Sequence, residues 1–359
     1  MIALTHRADG PYAARVQRDA VQLNAACFDA LRRTFVLRSC IGVFVFLPMQ
    51  CVSGAQQPHL SENQPGAEFK LTINANMVLL NATVLDRHNA LVSGLNAGDF
   101  QIYEDGVPQT IRHFTHEDIP VTAGILVDNS SSMGPKRSDV IAAALAFAGS
   151  SNPQDQMFVV NFSDHVSFGL PARIPFTDQR EQLQLALSSI RTIGETALYD
   201  GIVVGLEHLQ LGNRDKKVLI LITDGGDNAS KNTLAQVMAL TKQSAAIIYA
   251  IGIFDEQDGD QNPGVLKRFA KETGGEAFFP ESSKEIAPIC EKIARDIRNQ
   301  YSLAYVPSNA RQDGSFRTIE VKASAPGHGR LSVRTRTGYT AAVTSPPATR
   351  EAIEHVLPN

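Results

Sequence analysis

Apolar and polar positions along the chain follow two different periods, and the period changes twice. Before residue 120 the pattern is strand-like, at Phe69 to Ala75, Met77 to Leu85, Phe100 to Glu104 and Gln109 to His113. Phe100 and Ile102 alternate there with Gln101 and Tyr103, the period of a half-buried strand, and Glu104-Asp105-Gly106 is a hairpin signal. From Val121 onward, short, mainly apolar runs take over, and strands are expected at 121–127, 156–162, 217–223, 246–253 and 275–279. Between them lie stretches of helical spacing, near 136–149, 179–190, 197–210, 231–243, 263–272 and 284–299. In one of these Leu198, Ile202, Gly205, Leu206 and Leu209 share a helical face. Apolar runs alternating with helices predict a doubly wound, mostly parallel sheet covered on both faces, a Rossmann-like α/β domain.

After Ile297 the strand pattern returns, at Tyr301 to Val306, Phe316 to Lys322 and Leu331 to Arg336. Two incomplete β pieces thus flank one α/β domain. Because the ends of an inserted domain tend to lie close together, the pieces are expected to pack as one β-sandwich-like domain. The expected layout is a targeting segment over 1–55, a linker over 56–67, an N-terminal β segment over 68–118, the α/β domain over 119–299, a C-terminal β segment over 300–342, and a disordered tail over 343–359.

The candidate chemistry sits where the apolar runs end. Val121 to Val127 runs into Asp128, Ser130 and Ser132, and Val218 to Ile222 delivers Thr223 and Asp224. Thr196 falls on a loop at a helix start. In an open α/β sheet, ligands bind in the crevice outside the carboxyl ends of the strands. A loop of hydroxyls and carboxylates suits a hard cation that prefers oxygen ligands. The bland alternative is that Asp128 ends a strand while Ser130 or Ser132 caps the following helix.

Asp-x-Ser-x-Ser at Asp128, Ser130 and Ser132, a loop threonine at Thr196 and a strand-end aspartate at Asp224 together resemble the metal-ion-dependent adhesion site of von Willebrand factor type A domains. Asn161-Phe162-Ser163-Asp164 and Thr223-Asp224-Gly225 resemble that family's strand ends. The resemblance covers about Pro120 to Ile297. It implies that Ser130 and Ser132 bind Mg²⁺ or Mn²⁺ directly, that Thr196 does so in the ligand-competent state, and that the two aspartates act directly or through water. A Glu or Asp from a partner protein would complete the coordination. Two carboxylates and three neutral hydroxyls leave a divalent ion an unsatisfied position, which fits a search for an outside carboxylate. Asn129 and Ser131, between the motif positions, are assigned no contact.

Composition narrows the picture. The formal net charge is −4, yet Met1 to Ala55 holds six arginines against three aspartates, leaving the remainder mildly acidic. No basic run argues for a nucleic-acid surface. The apolar run from Cys40, preceded by Arg32, Arg33 and Arg38 and followed by Val-Ser-Gly-Ala55, has the length of a signal peptide and is too short to span a bilayer. Cleavage near Ala55 predicts an exported protein, periplasmic or extracellular, with Cys290 as its remaining cysteine and no transmembrane helix in the mature chain. The thirty residues before the arginines exceed what a signal peptide needs, which leaves open a translation start downstream of Met1.

Enzyme activity is not expected. A phosphoryl-transfer site of the haloacid-dehalogenase kind needs a second aspartate where Ser130 stands, and neither a Gly-x-x-x-x-Gly-Lys-Ser/Thr loop nor a Gly-x-Ser-x-Gly elbow occurs. A structural domain with a purely stabilising or non-functional metal site is the competing expectation. The acidic stretch Asp255 to Asp260 reads as a solvated loop, since its spacing is not that of an EF-hand. Cys290, among Ile286, Ile289, Ile293 and Ile297, reads as core.

Overall fold

Val121 to Asp128 is buried at every position, because it runs through the middle of a six-stranded sheet. The structure, a computed structural model, describes residues 77–189, 191–254 and 261–343. These lie in one unit of the chain, Lys70–Asn359. The targeting segment, the linker, the strand expected over Phe69 to Ala75, the acidic stretch Asp255 to Asp260 and the tail after Val343 lie outside the described residues. Among the described residues no helix is long and apolar enough to cross a membrane.

The strands in chain order are β1 (Val78–Leu85), β2 (Phe100–Glu104), β3 (Val107–Gln109), β4 (Ile111–Thr115), β5 (Val121–Asp128), β6 (Gln156–Phe162), β7 (Val166–Phe168), β8 (Lys216–Thr223), β9 (Ile247–Gly252), β10 (Ala277–Phe278), β11 (Tyr301–Tyr305), β12 (Phe316–Ala323), β13 (Ser332–Arg334) and β14 (Gly338–Thr340). The helices are α1 (Arg137–Ser150), α2 (Arg180–Ser188), α3 (Leu198–Leu209), α4 (Leu234–Gln243), α5 (Pro263–Thr273) and α6 (Ile286–Arg298).

The central sheet has the order β10-β9-β8-β5-β6-β7. Its pairings are parallel except at the β7 edge, where Val166–Phe168 folds back against β6. Helix α1 packs against α2 and α6, while α3 packs against α4 and α4 against α5, so two groups of helices flank the sheet. The mainly apolar runs are explained by this covering of both faces. Strand β5 pairs with β6 on one side and with β8 on the other. The winding direction therefore reverses at β5, and the crevice outside the tips of β5 and β8 is the topological switch point of the sheet.

The segments before and after the α/β domain build two four-stranded antiparallel sheets, of order β13-β1-β11-β4 and β14-β12-β2-β3. Each sheet takes strands from both sides of the insertion. Leu80, Ala82, Val84, Phe100, Ile102, Tyr301, Leu303, Tyr305, Ile319 and Val321 form one shared core between them. The chain differs from expectation at Gln109 to His113. That stretch is not one strand: β3 ends at Gln109 against β2, and β4 starts at Ile111 and pairs with β11 in the other sheet. Thr110 is the crossing point between sheets, and a period-two pattern looks the same on either side of it.

The β unit is latched to the α/β domain away from the strand tips. Arg334 donates to Glu276 Oε2 at 2.5 Å, just ahead of β10, and to Asp296 Oδ2 at 2.7 Å near the end of α6. Gly274, left-handed at φ 83°, ends α5 where an added Cβ would stand 2.5 Å from the carbonyl carbon of Thr335.

Candidate functional site

Asp128 closes β5 with 1% of its surface exposed, and Asp224 follows β8 fully buried. The two tips are adjacent because β5 and β8 pair in register up to Val127 and Ile222. Asp128 Oδ1 accepts from the Ser130 amide at 2.8 Å, and Oδ2 accepts from Thr223 Oγ1 at 2.6 Å. Burial pushes the Asp128 carboxyl up to about 6, against the pull of the bonds from Thr223 and Ser130.

Beyond Asp128 the chain turns through a short 3-10 segment, Ser131–Lys136, into α1. Ser130 Oγ lies 3.1 Å from Ser132 Oγ, and Ser132 Oγ donates to Asp224 Oδ1 at 2.9 Å. Four of the five sequence-predicted residues are thus linked directly through short hydrogen bonds. Thr196 arrives by a different route. Its amide donates to Asn228 Oδ1 at 2.7 Å, its carbonyl accepts from the Asn228 and Ala229 amides, and an added Cβ on Gly225 would lie 3.7 Å from its hydroxyl. Thr196 is buried beside the loop that follows Asp224.

Several residues outside the five-position set hold this arrangement. Ser131, assigned no contact with the metal, braces the loop: its amide donates to the Gly194 carbonyl at 3.0 Å and its hydroxyl accepts from the Gly194 amide at 3.0 Å. Asp164 accepts from the Glu195 amide at 2.7 Å. These bonds tie the Thr196 loop to the serine loop and to the turn between β6 and β7. Asn129, likewise assigned no contact with the metal, donates to Val127 O and to Asn161 Oδ1 and accepts from Arg137. Lys136 Nζ donates to Asp224 Oδ2 at 2.8 Å and to the Ile253 carbonyl at 3.0 Å. One sequence signal was available for the last two basic residues. Lys136 and Arg137 open a helix, where the macrodipole disfavours positive charge, so each needs a compensating partner.

The donor set is all oxygen, which fits a hard divalent cation. Among the described residues no three His, Cys, Asp or Glu side chains come together as a metal-binding group. Any ion here depends on hydroxyls for part of its shell.

Residues 124–292 match the family model of the von Willebrand factor type A domain, and the α/β unit is a domain of that type. A comparison with curated proteins gave no match. Among solved structures, the chain is similar to a von Willebrand factor type A protein from Catenulispora acidiphila, at 13% identity over 76% of this chain and 75% of that one, with a TM-score of 0.45. It is similar to proximal thread matrix protein 1 from the mussel byssus, in a form with a zinc-occupied MIDAS motif, at 20% identity over 51% of this chain and 49% of that one, with a TM-score of 0.42. A third similarity is to the vWF domain of a type V pili tip protein from Porphyromonas gingivalis, at 14% identity over 50% of this chain and 95% of that one, with a TM-score of 0.40. The match thus spans about half the length of the byssus protein.

Proposed function

We propose that the protein is an exported protein-binding module, of adhesion or assembly type, whose divalent cation, Mg²⁺ or Mn²⁺, is held by Asp128, Ser130, Ser132, Thr196 and Asp224 and completed by an Asp or Glu of a partner protein. The observation that carries this reading is the convergence at the tips of β5 and β8. There Asp128 and Asp224 lie buried at adjacent strand tips beside Ser130, Ser132 and Thr196, with Lys136 as the charged neighbour of Asp224. Two carboxylates would balance the ion's charge and the three hydroxyls are neutral, so what a partner carboxylate would supply is a further oxygen ligand. We assign the site no catalytic role. Export rests on the arginine-flanked apolar run before Ala55.

A second reading has its own support. Lys136 already neutralises Asp224 from inside the chain, as a domain whose site serves stability alone would need.

Thermal melting of the chain with EDTA, Mg²⁺ or Mn²⁺, beside Asp128→Ala, separates the two. A metal at a hundred times its dissociation constant adds about 2.7 kcal/mol to wild type and nothing to the variant if the site binds metal. Acetate serves as the surrogate for a partner carboxylate and should tighten Mn²⁺ binding. If wild type and variant respond alike, the metal-dependent module loses its basis.

A further inference from the structure

We propose that Lys136 is a tethered cation that occupies Asp224 in the metal-free protein and must leave it for the divalent ion to load. The proposal rests on the metal site put forward above and assigns that site its built-in competitor. Asp224 is fully buried, and its two oxygens are divided between two donors. Ser132 Oγ takes Oδ1 at 2.9 Å and Lys136 Nζ takes Oδ2 at 2.8 Å. The same ammonium reaches the Ile253 carbonyl at 3.0 Å, just past the end of β9, so it is held between the ends of two neighbouring strands.

A buried carboxylate without a partner is strongly disfavoured, and Lys136 removes that penalty with no metal bound. A divalent ion sharing Asp224 would stand within a few ångströms of the ammonium, in surroundings that screen charge poorly. Asp224 then has no charge left for the lysine, and the two cations repel. The lysine has an exit, because its side chain is 19% exposed on a flexible four-carbon stem while Asp224 is at 0%. It is also anchored in the right place. Lys136 ends the 3-10 turn that begins at Ser131, so the loop that supplies Ser130 and Ser132 also carries their competitor. Metal loading is therefore an exchange of one cation for another, and the apparent metal affinity is lowered by the strength of the Lys136–Asp224 pair.

The test is isothermal titration of the full chain with Mn²⁺ for wild type and for Lys136→Met, which keeps the stem and removes the charge. Reductive methylation of Lys136 in wild type, mapped by mass spectrometry with and without Mn²⁺, accompanies it and needs no variant. We expect Mn²⁺ to bind Lys136→Met at least tenfold more tightly, and Lys136 of wild type to become severalfold more reactive once Mn²⁺ is added. Equal or weaker binding by a folded variant, with Lys136 reactivity unchanged by metal, overturns the proposal and leaves the metal site standing. If neither protein binds Mn²⁺ while both melt cooperatively, the metal site itself falls and the exchange with it.

Discussion

Thr223 Oγ1 donates to Asp128 Oδ2 at 2.6 Å, joining the tips of the two strands that frame the crevice. Both residues are buried, with Thr223 at 0% and Asp128 at 1% exposure. A hydrogen bond to a buried charged group is worth about 1.5–3 kcal/mol. Thr223→Val keeps the shape and removes the donor, so it should lower stability in EDTA by that amount, read from urea denaturation. In an Asp128→Asn background the cost should shrink, because the acceptor is then uncharged. Additive losses in the double variant would show that the hydroxyl stabilises something other than the Asp128 carboxylate.

Gly194 is required by its backbone and by its neighbour at once. Its φ is 91°, and an added Cβ would stand 2.3 Å from Asp164 Oδ2. Gly194→Ala should cost about 2 kcal/mol through left-handed strain and displacement of the Asp164 side chain. The functional consequence should exceed the stability loss. Gly194 bonds Ser131, and Asp164 bonds Glu195, one residue before Thr196. The Mn²⁺-induced rise in Tm should therefore shrink in the variant. A lowered Tm with an unchanged metal increment would mean that Thr196 is placed without this loop.

The parts of the molecule that were legible in advance share a local cause. Strand β5 reads as buried because its residues, Thr122 apart, are apolar up to Asp128, and β2 reads as half-buried because Phe100 and Ile102 point inward between Gln101 and Tyr103. The motif at Asp128, Ser130, Ser132, Thr196 and Asp224 was legible because residue type and order carry it. Contacts across long stretches of chain were not. Ser131 meets Gly194 over 63 positions and Lys136 meets Asp224 over 88, and nothing in either local sequence names the partner. The switch of sheets at Thr110 was hidden for a related reason, since the alternation of β3 and β4 does not state which strand lies alongside.

Glu104 joins the two halves of the β unit. Its Oε1 accepts from Arg317 at 3.1 Å, and its Oε2 accepts from Tyr305 at 2.6 Å and Tyr339 at 3.0 Å. Glu104 precedes the inserted domain, and its three partners follow it. Glu104→Ala leaves the buried Arg317 guanidinium without its counter-charge and should cost about 3–5 kcal/mol. Tyr305→Phe removes one bond to the carboxylate and should cost about 2 kcal/mol. Urea denaturation of the full chain measures both. A loss below about 1 kcal/mol for Glu104→Ala would mean that the guanidinium finds other acceptors, such as the Asn309 and Arg311 carbonyls it already contacts.

Lys216, at the start of β8, is 1% exposed and donates to the Ile297 carbonyl at 2.8 Å. Burial pulls its ammonium down from 10.5 to about 8, and the attraction of Asp118 and Asp155 only partly opposes this. Between those two pH values the unfolded chain binds more protons at this residue than the folded one. The contribution of Lys216 therefore rises with pH through that window, by roughly 1.4 kcal/mol per unit at most, and falls away as pH drops through 8. Other groups titrate over the same range, so the useful quantity is the difference between wild type and Lys216→Met. Wild type should gain stability relative to the variant from pH 8 to 10, measured by urea denaturation at fixed ionic strength. A difference that stays flat over that window would show that Lys216 keeps an ordinary ammonium, with water or the two aspartates supplying what burial removes.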